Sequence, residues 1–202
     1  MKQWSRESIS RGTKCFSGQS ESGYPGSYPV GFLRWLQQMG FWGDKRLHLC
    51  CGGTVDPDSD RVDIQEVCTP GSEKGHRHGK TSFKTTANII ADARDTGLPD
   101  ETYDWIGIDP PYTSELAHDL YGVEEYYSSI DAFVREAYRL LKPGGLIMTL
   151  TYMPPKQHKD LRLVGCWMMY QNPPVRYYSG VCVWRKPGRR DLQGLEKWGV
   201  TG

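Results

Sequence analysis

Between Lys45 and Lys186 short apolar runs follow one another, each closed by a polar turn, and this succession limits the possible folds more than any other feature. "KRLHLCCGG" reads as a buried strand ending in a double glycine, and "DRVDIQEV" and "ANIIADA" as the second and third strands. "LPDETYDWIGIDPPY" carries a fourth strand and "LIMTLTY" a fifth. The strongest helical pattern lies between those two. In "SSIDAFVREAYRLLKPGG", Ile130, Phe133, Val134, Ala137, Leu140 and Leu141 share one face, and "KPGG" closes the helix. "VGFLRWLQQMG" places Phe32, Leu33, Trp35, Leu36 and Met39 at helical spacing, with Gly40 as its stop. "LVGCWMMYQ" and "YYSGVCVWRK", joined through "NPPVR", read as an antiparallel pair. Strands divided by turns and helices, then a final strand pair, predict an α/β domain with a mostly parallel sheet.

The 202 residues are enough for one domain with a sizeable core. Residues 1–29, polar and rich in Gly and Ser, are expected to form an extended N-terminal arm or loop. The folded domain is expected over 30–186, and 187–202 as a polar tail. Charges nearly cancel, 25 basic side chains against 24 acidic, so unspecific attraction to phosphate is excluded as the main mode of action. The opening "MKQWSRESIS" has no apolar secretory region, and no apolar run approaches membrane-span length, so a cytoplasmic protein with no membrane partner is expected. Six cysteines, irregularly spaced, fit free thiols in a reducing compartment.

The sharpest chemical feature is "GIDPPYT". Asp109 falls at the carboxyl end of the fourth strand, where open α/β sheets bind ligands. Pro110 and Pro111 fix two φ angles and remove two donors, so their carbonyls can only accept. A carboxylate, acceptor carbonyls and the Tyr112 ring together suit a planar amine carried on an aromatic ring. The lone pair of an exocyclic base amine is delocalised into its ring. Acceptors that grip its hydrogens favour a pyramidal nitrogen and stabilise the positive charge that develops as it attacks.

"DPPY", with "LHLCCGG" and "IIADA" upstream and "LLKPGGLIMTLTY" downstream, resembles the S-adenosylmethionine-dependent DNA amino-methyltransferases that act on adenine N6 or cytosine N4. The resemblance covers roughly residues 45–186. It implies a Rossmann-like methyltransferase fold, with a mostly parallel seven-stranded sheet and a C-terminal antiparallel strand pair. It also implies S-adenosylmethionine as cofactor, DNA as substrate, base flipping and direct methyl transfer. The catalytic group would be Asp109, Pro110, Pro111 and Tyr112. The cofactor would be held by Cys50, Cys51, Gly52 and Gly53 in the first loop, Asp63 on the ribose hydroxyls, Asp92 on the adenine amine with Ala93 beside it, and Asp109. The leading Asp favours adenine N6 over cytosine N4. The first loop departs from the family in carrying two cysteines. Asp58, Asp60 and Glu66 compete with Asp63, and the stretch between the first two strands is too short for a long helix. "YPGSYP" could fold back over the methionine end of the cofactor or pack as a surface arm.

No separate recognition domain fits in the chain. The inserted loop 69–86 is locally basic, and Lys74, Arg77, Lys80 and Lys84 are expected to contact phosphates while the target base is flipped. Ser114, His118 and Tyr121 are expected near the base pocket, either as contacts or as helix packing. "GHRHG" with Cys68 lacks the paired spacing of a structural zinc site, so no metal is expected. Methylation of a guanine amine in RNA, a catalytically idle nucleic-acid-binding module, a homodimer and a partner subunit stay open. A protein-glutamine methyltransferase is weaker, since the related motif there begins with Asn.

Overall fold

The computed structural model describes residues 9–16, 27–71, 82–124, 129–152, 154–156, 158–171 and 178–189. In chain order the elements are β1 (Ser10–Phe16), α1 (Phe32–Gln38), β2 (Arg46–Leu49), β3 (Asp60–Asp63), β4 (Val67–Cys68), β5 (Phe83–Lys84), β6 (Ile89–Ile90) and β7 (Tyr103–Ile108). They continue with α2 (Ser114–Tyr121), α3 (Ile130–Leu140), β8 (Leu141–Thr151), β9 (Arg162–Gln171) and β10 (Tyr178–Arg185). The main sheet has eight strands in the order β1-β9-β10-β8-β7-β2-β3-β6, and β4 pairs with β5 in a separate two-stranded sheet. Within the main sheet β10 runs antiparallel to both neighbours and every other pairing is parallel. The expected Rossmann-like arrangement with its closing antiparallel strands is therefore present.

Eight strands replace the expected seven because Ser10–Phe16, read from sequence as arm or loop, adds to the free edge of β9 in parallel. Its residues are mostly exposed and only Phe16 is buried, so it lacks the apolar run that marks the inner strands. The helix expected to close on "KPGG" ends at Leu140, and Lys142, Pro143 and both glycines already belong to β8.

Strand alternation sends the two faces of the sheet into two cores. Leu47, Leu49, Ile106, Ile108 and Ile147 pack with Phe133, Val134, Ala137 and Leu140 of α3 on one face. Trp105, Met148, Leu150, Val181 and Val183 pack with Phe32, Trp35 and Leu36 of α1 on the other. Gly107 on β7 lets the chain before α1 come close, since a Cβ there would lie 3.0 Å from the Tyr28 hydroxyl. The carboxyl end of α3 is capped by Lys186, whose Nζ donates to the carbonyls of Tyr138 at 2.9 Å and Leu141 at 2.7 Å. Beneath α1, the buried His48 places Nε2 3.1 Å from Asp56, which also accepts two bonds from Arg46. Burial pushes the His48 imidazole below its usual range.

From β2 the chain moves outward through β3 and β6, then returns to β7 on the opposite side. The strand order thus reverses between β2 and β7, and open α/β sheets bind ligands at such a crevice. Cys50 follows β2 directly and Asp109 follows β7, so the topology brings them to the same edge.

Candidate active site

Of the clefts that open at this edge, two meet at Asp109. The first, about 700 Å³, is lined by Cys50, Gly52, Asp63, Ile64, Gln65, Asp92, Ala93, Arg94 and Phe133. The second, about 990 Å³, is lined by Ser27, Pro29, Pro110, Tyr112, Leu116, Leu120, Leu150, Tyr152, Met169 and Ser179. Asp109, Pro111 and Tyr121 line both. The carboxylate singled out from sequence therefore stands where the two spaces meet.

The first cleft takes its shape from the turn after β2. Cys50 sits there with φ of 56°, in the left-handed region. The turn then redirects the Gly52 N–H onto Asp63 Oδ2 at 2.9 Å. Asp63 Oδ1 accepts from Ile64 N at 2.9 Å. Burial pushes the Asp63 carboxyl up, and backbone N–H groups of Gly52, Ile64 and Gln65 oppose that. Asp92 is held below its usual range by Arg94, whose guanidinium grips both carboxylate oxygens at 2.6–3.1 Å. The cleft thus gathers three carboxyl groups, Asp63, Asp92 and Asp109, with Arg94 paired to Asp92. Such a lining is rich in hydrogen-bond acceptors and suits a ligand that carries hydroxyl and amine donors.

The second cleft carries leucine, methionine and proline contacts, and among the described lining residues there is no lysine or arginine. Tyr112 Oη donates to Asp109 Oδ1 at 3.1 Å. Its ring meets that of Tyr152, centroids 4.2 Å apart and planes at 49°. Burial pushes the Asp109 carboxyl up to about 8, with the Tyr112 bond pulling the other way. Tyr121 is fixed at the rim because its helix is clamped at the end. Gln65 Nε2 donates to the Tyr121 carbonyl at 2.6 Å and Gly71 N to the His118 carbonyl at 3.0 Å. Gly122 ends the helix with φ of 65°, where a Cβ would fall 2.1 Å from the Thr69 carbonyl oxygen.

Of the residues expected to hold the cofactor, Cys50, Gly52, Asp63, Asp92, Ala93 and Asp109 converge on the first cleft. Two do not. Cys51 is buried behind the turn, its N–H spent on the Val62 carbonyl, and Gly53 faces a separate hollow beside α1. The competing acids have other partners or none in the cleft: Asp60 accepts from the Tyr103 hydroxyl and Glu66 pairs with Lys84. All four residues expected to be catalytic, Asp109, Pro110, Pro111 and Tyr112, line the second cleft. Among the residues expected to contact nucleic acid, Lys84 is exposed and ion-paired to Glu66 on the β4–β5 stem, and lines neither cleft. Ser114 is the exposed first residue of α2 and lines neither. Lys74, Arg77 and Lys80 lie outside the described residues. No helix of the described residues is long and apolar enough to cross a membrane, and no group of three metal-ligating side chains gathers among them.

Sequence reasoning missed Ser179, Tyr152 and Arg94. The first two lie far along the chain from Asp109 and meet it only through the strand order. Arg94 had a local signal, two residues beyond the acid in "ADAR".

No protein-family profile matches the chain, and no curated protein matches it. Solved structures do. A type II methyltransferase candidate from Anaeromyxobacter dehalogenans is 20% identical over 69% of this chain and 52% of its own, with a TM-score of 0.37. TrmN from Thermus thermophilus is 20% identical over 76% of this chain and 47% of its own, TM-score 0.45. The 1,6-didemethyltoxoflavin-N1-methyltransferase of Burkholderia thailandensis, solved with S-adenosylhomocysteine, is 10% identical over 77% and 76%, TM-score 0.40. The chain thus spans about half the length of the first two. These are distant likenesses of fold, and the class of the site rests on its own geometry.

Proposed function

We propose that the protein is an S-adenosylmethionine-dependent methyltransferase that modifies an exocyclic amine on a DNA base, adenine N6 in first place. The observation that carries this is the position of Asp109, with Pro111 and Tyr121, on both clefts at once. A transfer between two bound molecules needs their reacting atoms in contact, and a shared wall is where contact occurs.

The first cleft fits the cofactor. Asp63 would accept the ribose hydroxyls while its other contacts hold the Gly52 turn, and Asp92, steadied by Arg94, would accept the adenine amine. When bound, S-adenosylmethionine supplies an electrophilic methyl group. In the second cleft the target ring lies among Leu116, Leu120 and Met169. Its amine hydrogens point to the Asp109 carboxylate and a proline carbonyl. Asp109 and the proline carbonyl would stabilise the positive charge that grows on the nitrogen as it accepts the methyl group, the electron pair of the broken bond staying with the cofactor's sulfur. The amine proton passes to Asp109 or solvent.

A second reading, a free aromatic amine as substrate, is favoured by the lack of cations among the described lining residues of the second cleft. Nucleoside mass spectrometry of DNA incubated with the protein and methyl-labelled S-adenosylmethionine separates the readings. Label in N6-methyladenine is expected. Label in N4-methylcytosine keeps the mechanism and changes the base. No label in DNA, with the cofactor bound, moves the substrate to RNA or a small amine. No cofactor binding overturns the proposal.

A further inference from the structure

Two of the six cysteines meet across the β9–β10 pairing. Cys166 and Cys182 are register partners in that antiparallel ladder, and their Sγ atoms lie 3.6 Å apart. Direct opposition in an antiparallel pair holds the Cα atoms about 4.5–5.5 Å apart, within the span of about 4.4–6.8 Å that a disulfide bridges. Both side chains leave the same face of the sheet, so rotation about their Cα–Cβ bonds can bring the sulfurs to bonding distance while the strands stay paired. No other cysteines are register partners among the described residues. Cys15 lies exposed on β1 opposite Tyr170, Cys50 and Cys51 are consecutive at the turn after β2, and the Cys68 thiol donates to the Leu120 carbonyl at 3.2 Å.

We propose that Cys166 and Cys182 form a peroxide-responsive modification site that closes into a disulfide and is reopened by a thiol. Exposure sets the order of events. Cys166 is half-buried and Cys182 is 1% exposed, so a small oxidant reaches Cys166 first. Burial pushes the Cys182 thiol up, which keeps it protonated and inert until its neighbour is oxidised. The Cys166 sulfur attacks hydrogen peroxide: an S–O bond forms, the O–O bond breaks, and the thiol proton leaves with the second oxygen as water. The Cys182 sulfur then attacks the Cys166 sulfenic acid: the S–S bond forms, the S–O bond breaks, and the Cys182 proton joins the departing hydroxide as a second water. In sum the two thiols lose two electrons and two protons, and one peroxide becomes two waters. A thiol reductant reverses the link through a mixed disulfide and is itself oxidised to a disulfide.

The place of the pair gives the link a structural consequence. Three register pairs further along the same ladder, Met169 and Ser179 are partners, and both line the second cleft. In the oxidised form the β9–β10 wall of that cleft is therefore tied covalently as well as by its backbone ladder. The inference does not depend on which amine the site modifies.

The test exposes the folded full-length protein to hydrogen peroxide, raised until the exposed Cys15 begins to oxidise, then quenches with acid, alkylates the remaining thiols after unfolding and maps the peptides by mass spectrometry. A Cys166–Cys182 cross-linked peptide is expected as the main product, from a monomer lighter by two hydrogens, and dithiothreitol should restore the starting mass. Cys182→Ser should leave Cys166 as a sulfenic acid that dimedone labels, and Cys166→Ser should leave Cys182 unmodified. Peroxide added after urea unfolding should give mixed pairings, because the fold selects the partners. Cys166 and Cys182 both still alkylated once Cys15 is oxidised would overturn the proposal. So would a sulfinic acid at Cys166 beside a free Cys182, or a link from either to another cysteine. The wild-type map decides the question even where a variant fails to fold. It also needs no methyl acceptor, so a failure of the proposed function leaves it readable.

Discussion

The Gly52 N–H and Asp63 Oδ2, 2.9 Å apart, tie the turn after β2 to the end of β3. One carboxylate thus shapes the floor of the first cleft and presents its remaining lone pairs to a ligand. Asp63→Ala should weaken S-adenosylhomocysteine binding by about tenfold or more, equal to about 1.4 kcal/mol. Calorimetric titration checks this, and unchanged affinity would remove Asp63 from the ligand site.

Asp92 and Arg94 call for a different expectation. Their side chains are 37% and 25% exposed, so their ion pair adds under about 1 kcal/mol to stability. Arg94→Ala should leave the melting temperature nearly unchanged. Asp92→Ala should lose affinity for S-adenosylhomocysteine with equally little effect on melting. A large drop in melting temperature for either variant would show the pair to be structural.

Much of this frame was legible in the chain because strands and the α3 face write themselves in apolar spacing. Leu47, Leu49, Ile106 and Ile108 announce a buried sheet, and the turn residues after them mark its ligand edge. β1 was not legible. An edge strand exposes most of its side chains, and what holds Ser10–Phe16 in place is backbone pairing to β9, which leaves no residue pattern. The Asp109–Tyr112 stretch was legible for a similar reason: two prolines after an acid are a local constraint. Ser179 and Tyr152 were not, since serines and tyrosines of that kind occur throughout the chain and only the β10–β8–β7 order brings these two to Asp109.

Asp109 also sets a pH dependence. An ordinary aspartate ionises at 3.8, and burial moves this one to about 8. Between those values the folded protein holds a proton that the unfolded chain has released. Its contribution to stability is therefore complete below the unfolded value and is lost as pH rises through the folded one. Across that window wild type should lose up to about 1.4 kcal/mol per pH unit relative to Asp109→Asn. Urea unfolding of both proteins at several pH values from 5 to 9 gives the comparison, and parallel curves would contradict the burial of the carboxyl. Methyl transfer should rise with pH over the same range, because the amine needs the ionised form.

At the opposite end of the sheet, Lys186 donates to the carbonyls of Tyr138 and Leu141. Lys186→Met removes the cation from the end of α3 and should cost about 2 kcal/mol. That corresponds to a melting point lower by about 4–8 °C for a chain of this size. Differential scanning calorimetry reads it, and an unchanged melting point would show the cap to be dispensable.

The common wall of the two clefts has a use in ligand design. Since Asp109, Pro111 and Tyr121 border both spaces, a single compound joining an adenosine to an aromatic amine by a short tether could fill them together. It would lose its translational freedom once where two separate ligands lose it twice, so its affinity should exceed that of either half by far more than one added contact could explain. The best tether length would then serve as a molecular ruler for the gap that the proposed methyl transfer must cross.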